Sequence, residues 1–160
     1  SYDVDGNPAN GCEGVSTFGN HTQANPRSLG SKTCDDSPVL QTPSQIIYSD
    51  ARAHENPAVP GFNASTGAAP HWWIIRATGG AFCQNNLNVK LTMTGGTSNC
   101  YRLTVKTNLN TFTAQTSNGV AQITQGPGSY DDGTDINFVV EKTCGTNVRE
   151  APSYTITYNL

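Results

Sequence analysis

A chain of 160 residues with a net charge of −3 and an isoelectric point near 5.4 lacks the clustered basic charge that nucleic acid or an anionic membrane requires, so neither is expected as a partner. Hydrophobic residues make up 35% and charged residues 13%, the rest being rich in Asn, Thr, Ser and Gly; no apolar run approaches the ~20 residues of a membrane span. That profile is common in extracellular β-proteins, and one domain of this size buries roughly 70% of its unfolded surface, enough for a real core.

Ser1 opens directly in a polar segment with no signal peptide, which reads as a processed or excised piece. Residues 1–44 are rich in Gly, Asn, Ser and Pro without a sustained period. They are expected to form a loop-rich N-terminal segment, with one short edge strand around Gly14–Phe18, ahead of a β-sandwich domain over residues 45–160. Within the segment, Asp3, Asp5 and Asn7 alternate around Gly6, and Glu13 follows. Oxygen side chains spaced this way in a tight loop converge on one point and suit a hard cation such as Ca²⁺. The order differs from an EF-hand loop, where Gly sits sixth, and the plain alternative is a solvated acidic turn.

Gln45–Ser49 reads as a short apolar strand, and the Pro-bearing stretch Asp50–Pro70 as a long connection. His71–Thr78 is a strand carrying Trp72 and Trp73. Successive side chains on a strand point to opposite faces, so the two indoles diverge. One belongs to a core and the other is a flat surface with an N–H donor, suited to stacking on a sugar ring; the residue pattern leaves open which, and both can lie between layers. Alternation then predicts strands at Leu87–Thr94, Cys100–Thr107, Thr111–Gln115, Val120–Gln125, Thr134–Lys142 and Ser153–Leu160, separated by the turn signals Gly95-Gly96, Asn118-Gly119, Gly126-Pro127-Gly128 and Asp132-Gly133. The expected fold is therefore all-β, a two-sheet antiparallel sandwich of eight or nine strands wound like a jelly roll.

Several side chains along these strands carry chemistry. Asp131, Asp132 and Asp135 form a second acidic cluster that can complete a calcium site or serve as a polar turn. Lys90, Arg102 and Lys106 point outward on their strands. If those strands are neighbours, the cations share a polar face with Thr92, Thr94 and Thr104 and suit an acidic polysaccharide; otherwise they are ordinary solvated charge. The pairs Thr92–Thr94 and Thr155–Thr157 resemble ice-binding faces but lack a repeat. His21, His54 and His71 are scattered, and no nucleophile-elbow, zinc-protease or paired-carboxylate motif is present, so catalysis is not expected; a small secreted hydrolase with a dispersed triad is the third reading. Asn20-His21-Thr22 and Asn63-Ala64-Ser65 are glycosylation acceptors only in a eukaryotic secretory route.

The five cysteines form no C-x-x-C pair, so disulfides are expected and with them an extracellular or cell-surface location. Cys12 and Cys34 flank one Gly-rich segment and are the expected first bridge. Cys83 and Cys100 bracket the strand Leu87–Thr94 and are the expected second. Cys144 is then the odd thiol, either buried and inert or paired with another chain.

Two pieces of the chain carry a resemblance. Tyr2-Asp3-Val4-Asp5-Gly6-Asn7-Pro8-Ala9-Asn10-Gly11-Cys12-Glu13 resembles spacers in modular secreted and surface proteins of myxobacteria and related bacteria. His71-Trp72-Trp73-Ile74-Ile75, the paired strands Leu87–Thr94 and Cys100–Thr107, and the closing Asp135–Val140 and Ser153–Tyr158 resemble the bacterial pre-peptidase C-terminal domain, with His71 where that family has an Asp. The resemblance implies a jelly-roll accessory domain, often calcium-stabilised, that sits beside exported enzymes or adhesins. The expected function is a non-catalytic binding module for polysaccharide or cell-surface glycan. The rival is a structural subunit that assembles with itself into a fibre or layer by strand addition or an intermolecular disulfide.

Overall fold

The computed structural model describes residues 20–33, 39–47, 49, 63, 65–79, 83–145 and 150–160. Asp3, Asp5, Asn7, Glu13, the strand expected around Gly14–Phe18, the Cys12–Cys34 pairing and His54 lie outside the described residues. Ten strands make up the fold: β1 (Arg27–Thr33), β2 (Leu40–Gln41), β3 (Gln45–Ile46), β4 (His71–Thr78), β5 (Leu87–Thr94), β6 (Tyr101–Lys106), β7 (Thr111–Gln115), β8 (Val120–Gln125), β9 (Thr134–Lys142) and β10 (Ser153–Asn159). No helix occurs among the described residues.

The strands form a two-sheet sandwich. One sheet runs β1-β4-β9-β6-β7; the other runs β2-β10-β5-β8, with β3 pairing β10 beside β2. From β4 onward the chain crosses between sheets at every step except the β6–β7 hairpin, a jelly-roll-like winding. All pairings are antiparallel except β1 with β4, which is parallel. β1 and β2 fall in the stretch that reads as loops from sequence. β1 has little alternation of its own and is held by its neighbour; between Ser28 and Ser31 its register shifts, and Gly30 at φ 79° takes up the distortion without a Cβ penalty.

The core forms where alternation puts apolar side chains on facing surfaces. β4 supplies Trp73, Ile75 and Ala77, β6 supplies Tyr101, Leu103 and Val105, and β9 supplies Ile136, Phe138 and Val140. The opposing sheet answers with Leu87, Val89, Leu91 and Met93 of β5, Ala121 and Ile123 of β8, and Tyr154, Ile156 and Tyr158 of β10. Phe138 and Tyr158 meet across the layers with ring centroids 5.3 Å apart.

The disulfide pairing differs from expectation. Cys100 bonds Cys144, with Cα atoms 4.8 Å apart, and Cys83 is disulfide-bonded elsewhere. The reason is strand order. β6 lies beside β9, with Tyr101 opposite Lys142, so the residues just outside that pair are brought together. β5 and β6 lie in different sheets, so no hairpin exists for a Cys83–Cys100 staple, and Cys144 is not the odd thiol.

One end of the sandwich is plugged by polar groups. Lys142, the inward-facing last residue of β9, has a fully buried side chain and reaches Glu150 at 2.8 Å and Ser49 Oγ at 2.7 Å. Glu150 also accepts from Tyr101 Oη at 2.6 Å and Thr97 Oγ1 at 2.9 Å. Burial alone raises a carboxyl pKa; here the hydrogen bonds from Lys142, Tyr101 and Thr97 and the charge of Lys142 outweigh it and hold Glu150 below its ordinary value.

Candidate binding face

β4 divides its side chains by parity. His71, Trp73, Ile75 and Ala77 are buried, while Trp72, Ile74 and Thr78 are half-buried and Arg76 is exposed. Trp73 is the core indole, with no exposed surface, and its Nε1 donates to Tyr154 Oη at 2.9 Å. Trp72 is the outward one. It stands on the outer surface of the β1-β4-β9-β6-β7 sheet, opposite Val139 of β9, which in turn faces Thr104 of β6 and Thr113 of β7. The next row of that face runs Ile74, Asn137, Lys106 and Thr111.

Lys106 Nζ lies 4.9 Å from the centre of the Trp72 ring, a cation–π contact worth about 0.5–1 kcal/mol at a partly exposed site. Val139, Thr104 and Asn137 point outward yet are buried, so they floor the face between the central strands. Asn137 Nδ2 donates back to Trp73 O at 3.2 Å. Arg102, two positions before Thr104, is held by Glu141 through Nη2 at 2.6 Å and Nε at 3.0 Å. Among the described residues Lys106 pairs with no carboxylate. The face thus offers an aromatic plane, a cation, and threonine hydroxyls, a combination that stacks on a sugar ring and attracts an acidic substituent.

The structure separates residues that the sequence suggested together. Lys90 belongs to β5 and Arg102 and Lys106 to β6, so they lie on opposite sheets and share no face; Thr92 and Thr94 go with Lys90 and only Thr104 with the β6 pair. Asp131, Asp132 and Asp135 do not converge. Asp131 Oδ2 accepts from Asn108 Nδ2 at 2.6 Å, Asp135 pairs with exposed Arg76 at 3.2 Å, and the Asp132 side chain packs against Gly79, where there is no room for a Cβ. Among the described residues no three His, Cys, Asp or Glu side chains are placed to hold a metal ion.

The structure also unites residues that sequence left apart. His21, just before β1, and His71 have ring centroids 5.4 Å apart. His71 Nδ1 meets Tyr154 Oη at 2.9 Å, and His21 Nδ1 donates to Pro70 O at 3.1 Å. Asn20 and Gln45 exchange amide hydrogen bonds at 2.8 and 3.4 Å. Asn20 also brackets the backbone of Trp72, accepting from its N–H at 2.7 Å and donating from Nδ2 to its carbonyl at 2.9 Å. Burial, with the nearby His21, lowers His71 to about 3, so the ring is neutral at any ordinary pH. Burial also lowers His21, against its hydrogen bond to Pro70, and raises the Tyr154 hydroxyl.

Comparison with known protein families and with curated proteins found no match to this chain.

Proposed function

We propose that this chain is a non-catalytic module of a secreted or surface protein that binds an acidic polysaccharide or cell-surface glycan through the outer face of the β1-β4-β9-β6-β7 sheet. The observation that carries the reading is Trp72: an indole directed away from the core, on a sheet face otherwise built of Thr, Asn and Val, with Lys106 against its ring. A buried role is already filled by Trp73, so core packing does not account for a second indole there. The Cys100–Cys144 bond agrees with an oxidising compartment, and the resemblance to pre-peptidase C-terminal domains points the same way. Calcium enters the proposal through Asp3, Asp5, Asn7 and Glu13, whose oxygens suit it.

The test is retention on a panel of insoluble polysaccharides, neutral and acidic, in calcium and again in EDTA, with Trp72→Ala and Lys106→Ala beside the wild type. Retention of the wild type that Trp72→Ala abolishes supports the reading, and its loss in EDTA adds the metal. No retention on any material, in either buffer, overturns it. The rival, a subunit assembled by strand addition, draws on the open edge of β8, which ends its sheet among the described residues and exposes Val120. Light scattering showing a monomer that oxidation does not change removes that rival.

A further inference from the structure

Trp72 and Lys106 stand on strands that are not neighbours. β9 lies between β4 and β6. Adjacent strands sit about 4.8 Å apart, so the β4 and β6 backbones are roughly 10 Å from each other. The Lys106 ammonium nevertheless lies 4.9 Å from the centre of the Trp72 ring. The two side chains therefore lean toward each other and meet above β9. Under the meeting point β9 places Val139, opposite Trp72, and Asn137, opposite Lys106. Both face outward, yet only 4% and 8% of their surfaces are exposed, and Thr104 beside Val139 keeps 6%. An indole and a four-carbon stem leaning across the strand supply such a cover. The other cations on this face among the described residues are tied to acids, Arg76 to Asp135 and Arg102 to Glu141. Lys106 is held by the ring instead.

We propose that Lys106 sets the specificity of this face: in the free protein it covers the Trp72 plane, and the carboxylate of a uronic acid draws it aside. A neutral sugar that stacks on Trp72 must displace the ammonium and returns nothing for the cation–π contact it breaks. A sugar that carries a carboxylate returns an ion pair in its place. One cation in contact with the stacking plane calls for an anion on the stacked ring itself. The carboxylate of a uronic acid is bonded directly to a ring carbon, whereas the oxygens of a sulfate ester stand one bond farther out. The occupant is therefore a polyuronate, with Trp72 taking the ring and Lys106 its charge. The selectivity rests on the binding reading above; the cover over Trp72 stands without any ligand.

Acrylamide quenching of Trp fluorescence in the free protein tests the cover. Trp73 has no exposed surface, so quenching reports Trp72. Lys106→Ala should raise the quenching constant, and Lys106→Met, which keeps an unbranched chain over the ring without the charge, should not. Equal quenching in the wild type and Lys106→Ala overturns the proposal. Gel retardation in polygalacturonate, its full methyl ester and dextran sulfate, at two salt concentrations, then reads the selectivity. The wild type should bind polygalacturonate most tightly, with a salt dependence that both Lys106 variants lose. Lys106→Ala should bind the methyl ester about two- to fivefold more tightly than the wild type does, because no cation–π contact opposes it. Lys106→Met should show no such gain. Weaker binding of Lys106→Ala to polygalacturonate without a gain on the ester refutes the selectivity and leaves the binding face standing. A wild type that prefers dextran sulfate or the ester refutes the polyuronate, whatever the variants do. Absence of binding to all three polymers, or binding that Trp72→Ala leaves intact, refutes the binding face and the role of Lys106 with it.

Discussion

Glu150→Ala is the substitution from which the architecture makes its most specific demand. The carboxylate accepts from Lys142, Tyr101 and Thr97, and the Lys142 side chain has no exposed surface. Truncation leaves that ammonium with Ser49 Oγ and a distant contact to the Tyr101 ring, 5.9 Å to its centre, and strands the buried Tyr101 hydroxyl. Breaking one side of a buried pair costs about 3–5 kcal/mol, because the remaining charge keeps its desolvation penalty and loses its compensation. Against a total of about 5–15 kcal/mol for a domain, the variant forfeits a fifth or more of its stability, and its Tm drops by roughly 6–20 °C. Equilibrium unfolding in urea at pH 7, followed by Trp fluorescence under non-reducing conditions, measures it. The double variant Lys142→Met/Glu150→Leu removes both charges together and is expected to lose less than Glu150→Ala alone. A loss below about 1 kcal/mol for the single variant, or a double variant at the sum of the two singles, refutes the claim that burial rather than attraction sets the cost.

Other perturbations separate the two faces of β4 and the two polar networks. Trp73→Ala empties a fully buried site and should cost about 3–5 kcal/mol, whereas Trp72→Ala should cost about 1 kcal/mol and act on polysaccharide retention; urea titration of both variants checks the contrast. Cys144→Ser opens a cross-link spanning 44 residues and should lower stability by about 4 kcal/mol in the chain-entropy account, measured by urea unfolding under non-reducing conditions. His71 is depressed in the folded state, so its contribution is complete above its unfolded pKa of 6.5 and is lost as pH falls toward about 3. Between pH 7.5 and pH 5.0 this amounts to about 2 kcal/mol, measurable as the difference in urea stability that His71→Gln abolishes.

Alternation was readable wherever a strand packs one face on a core. Thr111–Gln115, Val120–Gln125 and Thr134–Lys142 have the bounds that their residue pattern predicts. The orientation of the Trp72–Trp73 pair was also within reach: Arg76 shares parity with Trp72 and Ala77 with Trp73, and a cation on the outward parity marks the inner one. β1 left no such mark, since Arg-Ser-Leu-Gly-Ser-Lys-Thr carries a single large apolar residue and is a strand because β4 offers it an edge. The Cys100–Cys144 bond and the separation of Lys90 from Lys106 both follow from which strands are neighbours, a property of the winding and not of any local spacing. His21 meets His71 for the same reason, through a segment whose own residues have no period.

The two buried polar networks share one end of the sandwich. On β9, Val140 faces His71 and Lys142 faces Tyr101; along the chain, Glu150 and Tyr154 follow one another into β10. They nevertheless respond to acid in opposite order. The His71 network is lost over the range below pH 6.5, because its titrating group is neutral when folded and charges on release. The Glu150 network is complete above the ordinary carboxylate pKa and is lost only as pH falls through a folded value held below that, because its titrating group is already charged and paired. At pH 5 the first is weakened while the second stands. Over that range the β6, β9 and β10 junction stays closed by Lys142–Glu150 and stapled by Cys100–Cys144.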